Sequence, residues 1–333
     1  MKGRTSMAEF NEKKDGFDRV IEFMNSKFKK LLKNLSKEKK DFLQEIRIRA
    51  GMPTVIVCSN NSFILDGSES VATPVDIKEI FNLLCGYSVY SFENQIKKGF
   101  ITIDGGHRIG LCGEYVFSGD KISAVNELTS LNIRIAREFP NCSKDIFEKI
   151  KNDFLGALIV GPPCCGKTTI IRDLSRRFSL SEKLKLPKTC IIDERLEIAS
   201  CHGGKVQFNI GLSDVLSGIP KSAGIMMAVR CMSPNIIICD EIGTSEEAMA
   251  VKSALNCGVK IIATIHAFGL DDFLKKPQIV PLVNSGAFEK IIFLDGENFG
   301  KIKEIYSMEE LYDKNYRNYT FNNVGCSERI HIL

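Results

Sequence analysis

The chain reads as an α/β protein whose larger domain is built on a mostly parallel sheet and is preceded by a smaller mixed α+β domain. Three observations predict this. In the second half, short apolar runs (Leu155 to Val160, Thr189 to Asp193, Ile236 to Cys239, Val259 to Ile265 and Lys290 to Leu294) alternate with segments of helical period. Strands apolar at every position are those buried on both faces, and their alternation with helices predicts parallel pairing. Between residues 45 and 137 the period instead falls to two, as Ile46 and Ile48 alternate with Arg47 and Arg49. Finally, Gly161-Pro162-Pro163-Cys164-Cys165-Gly166-Lys167-Thr168-Thr169 spells G-x-x-x-x-G-K-[ST] between a strand and a helical stretch.

The elements follow in order. Residues 1 to 40 are lysine-rich, and Phe17, Val20, Ile21, Met24, Phe28, Leu31 and Leu32 fall on one stripe of an amphipathic helix with a solvated basic back. Such a helix can also lie on an anionic membrane, but Glu9, Glu12, Asp15, Asp18 and Glu22 weaken that field. Thr54 to Cys58 and Ser62 to Leu65 read as short strands around Asn60-Asn61, and residues 74 to 98 as one helix with Pro74 near its start. Gly99 to Asp104 and His107 to Phe117 make a hairpin about Gly105-Gly106, with further strands at Lys121 to Val125 and Ser130 to Arg137. Phe139-Pro140-Asn141 interrupts the pattern. The expected domains are therefore 1–140 (helical to 44, strand-rich over 45–137), 141–308, and an irregular tail over 309–333.

Bulk properties narrow the function. The 333 residues carry a net charge of +4 and no Trp, which counts against a nucleic-acid motor needing a basic, aromatic-lined channel. The twelve cysteines form no C-x-x-C pair or zinc-ligand cluster, and those in apolar strand runs, such as Cys190 and Cys239, read as buried reduced thiols of a cytosolic protein. The polar start has no signal-peptide core, and apolar runs fall well short of the roughly 20 residues a spanning helix needs. Work at a membrane would proceed from the cytosolic side through partners.

The chemistry gathers at strand ends. Backbone N–H groups of the Gly161–Thr169 loop, at a helix N-terminus, cradle a polyphosphate. Lys167 then meets the β- and γ-phosphates, and the Thr168 hydroxyl ligates magnesium. Ile236-Ile237-Ile238-Cys239-Asp240-Glu241 places two carboxylates where ligands sit in an open α/β sheet. Asp240 is suited to hold the magnesium shell and Glu241 to polarise a water. Asp193-Glu194-Arg195-Leu196-Glu197 brings more carboxylates to the same edge, where Glu194 either positions the lytic water or forms a structural ion pair. His266, also at a strand end, is either a γ-phosphate sensor or a satisfied polar residue. Phosphoryl transfer also calls for an arginine. Arg230 is the candidate within the second domain, and Arg108 and Arg134, opposite the apolar faces of their strands, can serve a neighbouring subunit.

In the order EIRIRAG, GGHRIGLCGEYV, LNIRIAR, GPPCCGKTT, IIDERLEIA, MMAVRCMSPNIIICDEIG, GVKIIATIHAF and FEKIIFL, the chain from about Glu45 to Asp295 resembles the stage III sporulation AA family, relatives of the type II/IV secretion ATPases. The resemblance implies a RecA-like P-loop ATPase domain, an N-terminal domain packed on the neighbouring subunit, a hexameric ring, and a membrane-embedded sporulation channel complex as partner. It matches Glu194, and Glu197 with it, to an acidic box, His266 to a histidine box, and Arg108 and Arg134 to arginines acting in trans. The expectation is an ATP- and Mg2+-dependent hydrolase, cytoplasmic on the mother-cell side and peripheral to that complex. A nucleotide-gated scaffold with little turnover is the alternative. Cys164 departs from the Gly usual in these proteins and is tolerable there if its φ is negative.

Overall fold

A computed structural model describes residues 16–58, 61–152, 155–201, 203–277, 282, 288–296 and 298–311. The chain forms two compact units, the first from residues within 1–137 and 202–207, the second from residues within 138–201 and 208–333. The short return of 202–207 to the first unit has no counterpart in the sequence pattern.

The first unit begins with three short helices, α1 (Gly16–Glu22), α2 (Ser26–Lys33) and α3 (Lys37–Phe42), in place of one long one. The stripe survives, since Phe17, Val20, Ile21, Met24, Phe28 and Leu32 are all buried. Asn25 and Ser36 divide it because their side chains accept the backbone N–H groups of Phe28 and Lys39 and so start new helices. The part of this segment before residue 16, with Glu9, Glu12 and Asp15, lies outside the described residues, as do Asn60 and the tail from residue 312.

The strands β1 (Leu43–Arg49), β2 (Val55–Cys58), β3 (Asn61–Ile64), β4 (Phe100–Ile103), β5 (His107–Ser118) and β6 (Lys121–Arg134) form one antiparallel sheet in the order β3-β2-β1-β6-β5-β4. Two expected strands over 121–137 are a single β6, because three register shifts against β5 absorb the irregular pattern. Gly113 sits at one of these, where a Cβ would lie 1.9 Å from the Glu127 carbonyl oxygen. The expected helix over 74–98 is likewise divided. Thr73 and Asp76 cap α4 (Pro74–Leu84) reciprocally, but Gly86 and Tyr87 adopt φ of 55° and 59°, and left-handed residues end a helix before α5 (Glu93–Ile96) begins.

The second unit contains α6 (Lys144–Ile150), β7 (Gly156–Gly161), α7 (Lys167–Ser179), β8 (Thr189–Asp193), β9 (Asp214–Ser217), α8 (Lys221–Cys231), β10 (Ile236–Cys239), α9 (Ser245–Asn256), β11 (Lys260–His266), α10 (Leu270–Leu274), β12 (Lys290–Leu294), β13 (Ile302–Ser307) and α11 (Met308–Leu311). The sheet order is β13-β12-β7-β11-β10-β8-β9, parallel except for β13. All five expected strands are present within a residue of their predicted bounds. The two outermost, β9 and β13, escape the sequence reading because an edge strand need not be apolar throughout, and Asp214, Lys303 and Glu304 are exposed.

Alternate residues of the central strands feed two cores. Leu158, Val160, Ile237, Cys239, Ile261 and Ala263 pack with residues of α8 and α9 on one face. Ala157, Ile159, Ile191, Ile238 and Ile262 pack with residues of α6 and α7 on the other. Fully burying each such isoleucine contributes about 1.5–3 kcal/mol, which makes this sheet a rigid base for the loops at its carboxyl edge. The described cysteines are all free thiols, and Cys190 and Cys239 are buried in the sheet as expected.

Candidate functional site

The carboxyl ends of β7, β11, β10 and β8 lie side by side, so loops distant in sequence meet along one edge. Gly161 is in register with His266, and two strand spacings, about 10 Å, separate β7 from β10. From Gly161 the loop runs into α7, and Gly166 holds φ at 99° at the helix cap. A Cβ on Gly166 would lie 2.7 Å from the Phe299 ring, so the residue is excluded from bearing a side chain by both backbone and space. Lys167 is buried, and its ammonium donates to the carbonyls of Gly161 (2.8 Å) and Pro162 (2.5 Å). Burial pulls its pKa down, opposed by the nearby Cys165 thiol and Glu241.

Cys164 holds φ at +63°, so the negative φ that would make a side chain tolerable there is not adopted. A side chain in this left-handed region costs about 1 kcal/mol relative to glycine. Cys164→Gly should therefore raise the unfolding free energy by up to about 1 kcal/mol, less the chain entropy glycine adds to the unfolded state. Urea denaturation of both proteins checks this; a Gly variant clearly less stable would mean the strain is absent.

Asp240 and Glu241 follow β10 as predicted. Asp240 is buried, and desolvation raises its pKa to about 6 against the opposing pull of Lys221. One oxygen of Glu241 accepts from Arg195 (3.0 Å) and stands 3.5 Å from His266 Nε2. His266 has its pKa lowered, first by burial and then by the Lys167 charge. Glu194 lies 3.7 Å from the Lys221 ammonium. Asp193, the first of the acids expected at this edge, is taken up by its own loop. Its two oxygens accept four backbone N–H groups, from Glu197, Ile198, Ala199 and Ser200, which folds the acidic loop around it.

The arginines are scattered. Arg108 and Arg134 are directly opposite each other on β5 and β6, with the Arg108 guanidinium 3.8 Å from the centre of the Phe100 ring and Arg134 exposed. Both project from the face opposite buried Ile109 and Ile133, as their alternation predicts. Arg230 is exposed in the last turn of α8, nine residues or about 13 Å along the helix from Lys221, so it does not join the acid pair.

Three residues at this edge had no signal strong enough to single them out. Arg172 on α7 donates to the carbonyls of Glu197 (2.6 Å) and Ile198 (2.7 Å) while stacking on Phe208, tying the phosphate-loop helix to the acidic loop. Arg195 engages Glu241. Lys221, the first residue of α8, has a side chain 2% exposed and reaches Asp240 at 3.1 Å. A lysine after Pro220 looks like an ordinary helix start, and only the fold reveals its carboxylate partners.

The donor set suits magnesium and a polyphosphate. Thr168 and Asp240 offer hard oxygen ligands, and among the described residues no three His, Cys, Asp or Glu form a metal-holding group. Magnesium commonly takes only one or two carboxylates and completes its shell with water and phosphate oxygens.

This sheet, strand order and loop define a RecA-like P-loop ATPase fold in the second unit. The structure superposes on the ATPase DotB of Legionella pneumophila with a TM-score of 0.53, 16% identity and coverage of 75% of this chain and 72% of that one. It also superposes on the pilus retraction motor PilT, solved with bound ADP, with a TM-score of 0.52, 15% identity and 78% of each chain covered. Residues 12–311 match the family described as sporulation stage III, protein AA. Stage III sporulation protein AA of Bacillus subtilis (strain 168) is 35% identical over 294 residues, spanning 87% of this chain and 95% of that protein. The chain belongs to that family.

Proposed function

We propose that this chain is an Mg2+-dependent ATP hydrolase that powers or assembles a secretion-like membrane channel complex during sporulation. The observation that carries the reading is the convergence of the Lys167 loop with Asp240, Glu241, Glu194 and His266 along one sheet edge. Lys167, now held by loop carbonyls, can turn to the β- and γ-phosphates, and the loop N–H groups with the α7 N-terminus receive the remaining charge. Magnesium, when bound to Thr168 and Asp240, neutralises charge on the phosphate oxygens. Glu241 orients a water and takes its proton, with Glu194 and His266 beside it.

An arginine from a neighbouring subunit completes the site in this reading, and Arg108 and Arg134 are the candidates. The assembly is a ring, hexameric by analogy with the secretion motors, peripheral to a membrane on the cytoplasmic side of the mother cell. Among the described residues no helix is long and apolar enough to cross a membrane. Its attachment would therefore fall to membrane-embedded partners.

The test is ATP turnover and ATP binding by purified protein and Lys167→Ala. Loss of both in the variant is expected, by a factor of about 10² or more in turnover; equal binding by the two proteins would overturn the reading. Binding is measured alongside because ring ATPases can need their partner to turn over. The particle mass with and without ATP and magnesium tests the arginines in trans, and a strict monomer in both would remove them. A scaffold that binds ATP but hydrolyses little is favoured by one observation, the strained Cys164 in the loop. Multiple turnover in the presence of the membrane partner would exclude it.

A further inference from the structure

Arg195 stands directly on the proposed base. Its Nη1 donates to Glu241 Oε2 at 3.0 Å, the same oxygen that lies 3.5 Å from His266 Nε2. Among the described residues Nε and Nη2 of Arg195 have no partner, and its side chain is 57% exposed. The His266 ring, its pKa lowered first by burial, also feels the charges of Lys167 and Arg195, so the cation of the phosphate loop and that of the acidic loop reach the same imidazole.

The backbone that carries Arg195 is fixed. Asp193, fully buried, accepts the four N–H groups of Glu197, Ile198, Ala199 and Ser200, and the Arg172 guanidinium holds the carbonyls of Glu197 and Ile198. Within this loop Leu196 turns the chain with φ at 59°. Arg195 is therefore a long cationic side chain on a rigid mount, and its guanidinium can relocate without any movement of the loop.

A half-exposed ion pair is weakly held. The bonds of an arginine fork to a phosphate are stronger, because the donors are charged and match the phosphate oxygens two at a time. A triphosphate on the Lys167 loop therefore competes with Glu241 for Arg195. As long as Arg195 holds it, Glu241 Oε2 is not available to a water. We propose that Arg195 is a catalytic residue of its own subunit: in the idle site it covers Glu241, and when a triphosphate arrives it transfers to the γ-phosphate and leaves Glu241 open to water. The inference rests on the hydrolase reading and adds a regulation to it, since only a nucleotide with a third phosphate uncovers the base. It also gives the site an arginine from its own chain, so Arg108 and Arg134 need not supply the only one.

The experiment is isothermal titration calorimetry of the full-length wild type, Arg195→Met, Arg195→Lys and Lys167→Ala with β,γ-imido-ATP and with ADP, each with Mg2+. Wild type should bind the imido-ATP more tightly than ADP. Arg195→Met should lose at least about tenfold of that preference, the share of one charge-assisted contact, with its ADP affinity unchanged. Arg195→Lys, charged but without the fork, should fall between the two. A merely structural Arg195 would weaken both nucleotides alike and leave their ratio intact. ADP binding serves as the fold control, and if Arg195→Met binds neither nucleotide, the ratio in Arg195→Lys decides. A wild-type ratio near one, or a ratio in the Arg195 variants equal to that of wild type, overturns the proposal. Equal nucleotide binding by wild type and Lys167→Ala overturns the hydrolase reading itself, and this inference falls with it.

Discussion

Glu241→Gln is expected to lower ATP turnover by a factor of about 10² to 10⁴, the range for removing a general base, and to leave ATP binding near wild type, if the proposed hydrolase reading holds. Glutamine keeps the shape and hydrogen-bonding reach of the side chain but cannot take a proton from water. It also keeps an oxygen for the Arg195 guanidinium, now 3.0 Å from Glu241, so the local fold is expected to hold. The measurement is single-turnover hydrolysis together with binding of a fluorescent ATP analogue. Glu194→Gln is the informative companion. Glu194 meets Lys221 only at 3.7 Å, whereas Glu241 lies beside both His266 and Arg195, so the smaller loss is expected for Glu194→Gln. If the order is reversed, the base is Glu194 and Glu241 has the supporting role.

The second large effect is on stability and belongs to the first unit. His107 begins β5 fully buried, its Nδ1 accepting the Ala136 N–H at 3.1 Å, which places the proton on Nε2 of a neutral ring. Burial, with the Arg19 charge adding to it, pulls its pKa from 6.5 down to about 4. The unfolded chain therefore takes up a proton near pH 6.5 that the folded chain refuses until near pH 4. Stability from this group is complete above pH 6.5 and is lost as pH falls toward 4, by about 3 kcal/mol in all. His107→Asn, whose Oδ1 can still accept from Ala136, removes this slope, although the smaller side chain lowers stability at pH 7. Urea midpoints of both proteins between pH 7 and pH 4 provide the check. Parallel curves would show that His107 does not titrate this way.

Much of the second unit was legible in the sequence because its strands are buried on both faces. Complete burial forces every residue of Ile236–Cys239 and Thr189–Asp193 to be shielded, and that shows as an uninterrupted run. The phosphate loop was legible for a related reason, since its glycines and lysine answer a local backbone demand that needs no distant partner. Half-wet elements were harder. β13 mixes exposed and half-buried positions with no regular period, and the breaks in the N-terminal helical stripe depend on the caps at Asn25 and Ser36, which resemble ordinary surface residues in the chain.

The sequence by itself singled out the candidate residues along the sheet edge: Lys167, Thr168, Asp240, Glu241, Glu194 and His266. Only the tertiary structure decided how they are wired. Parallel β7, β11, β10 and β8 bring residues up to about a hundred positions apart to one edge. There Asp193 is consumed by four backbone N–H groups, Arg195 meets Glu241, and Lys221 meets three carboxylates. The physical reason is range. Backbone conformation and burial on both faces leave local marks in a chain, whereas the partner of a buried charge is set by which strands lie side by side.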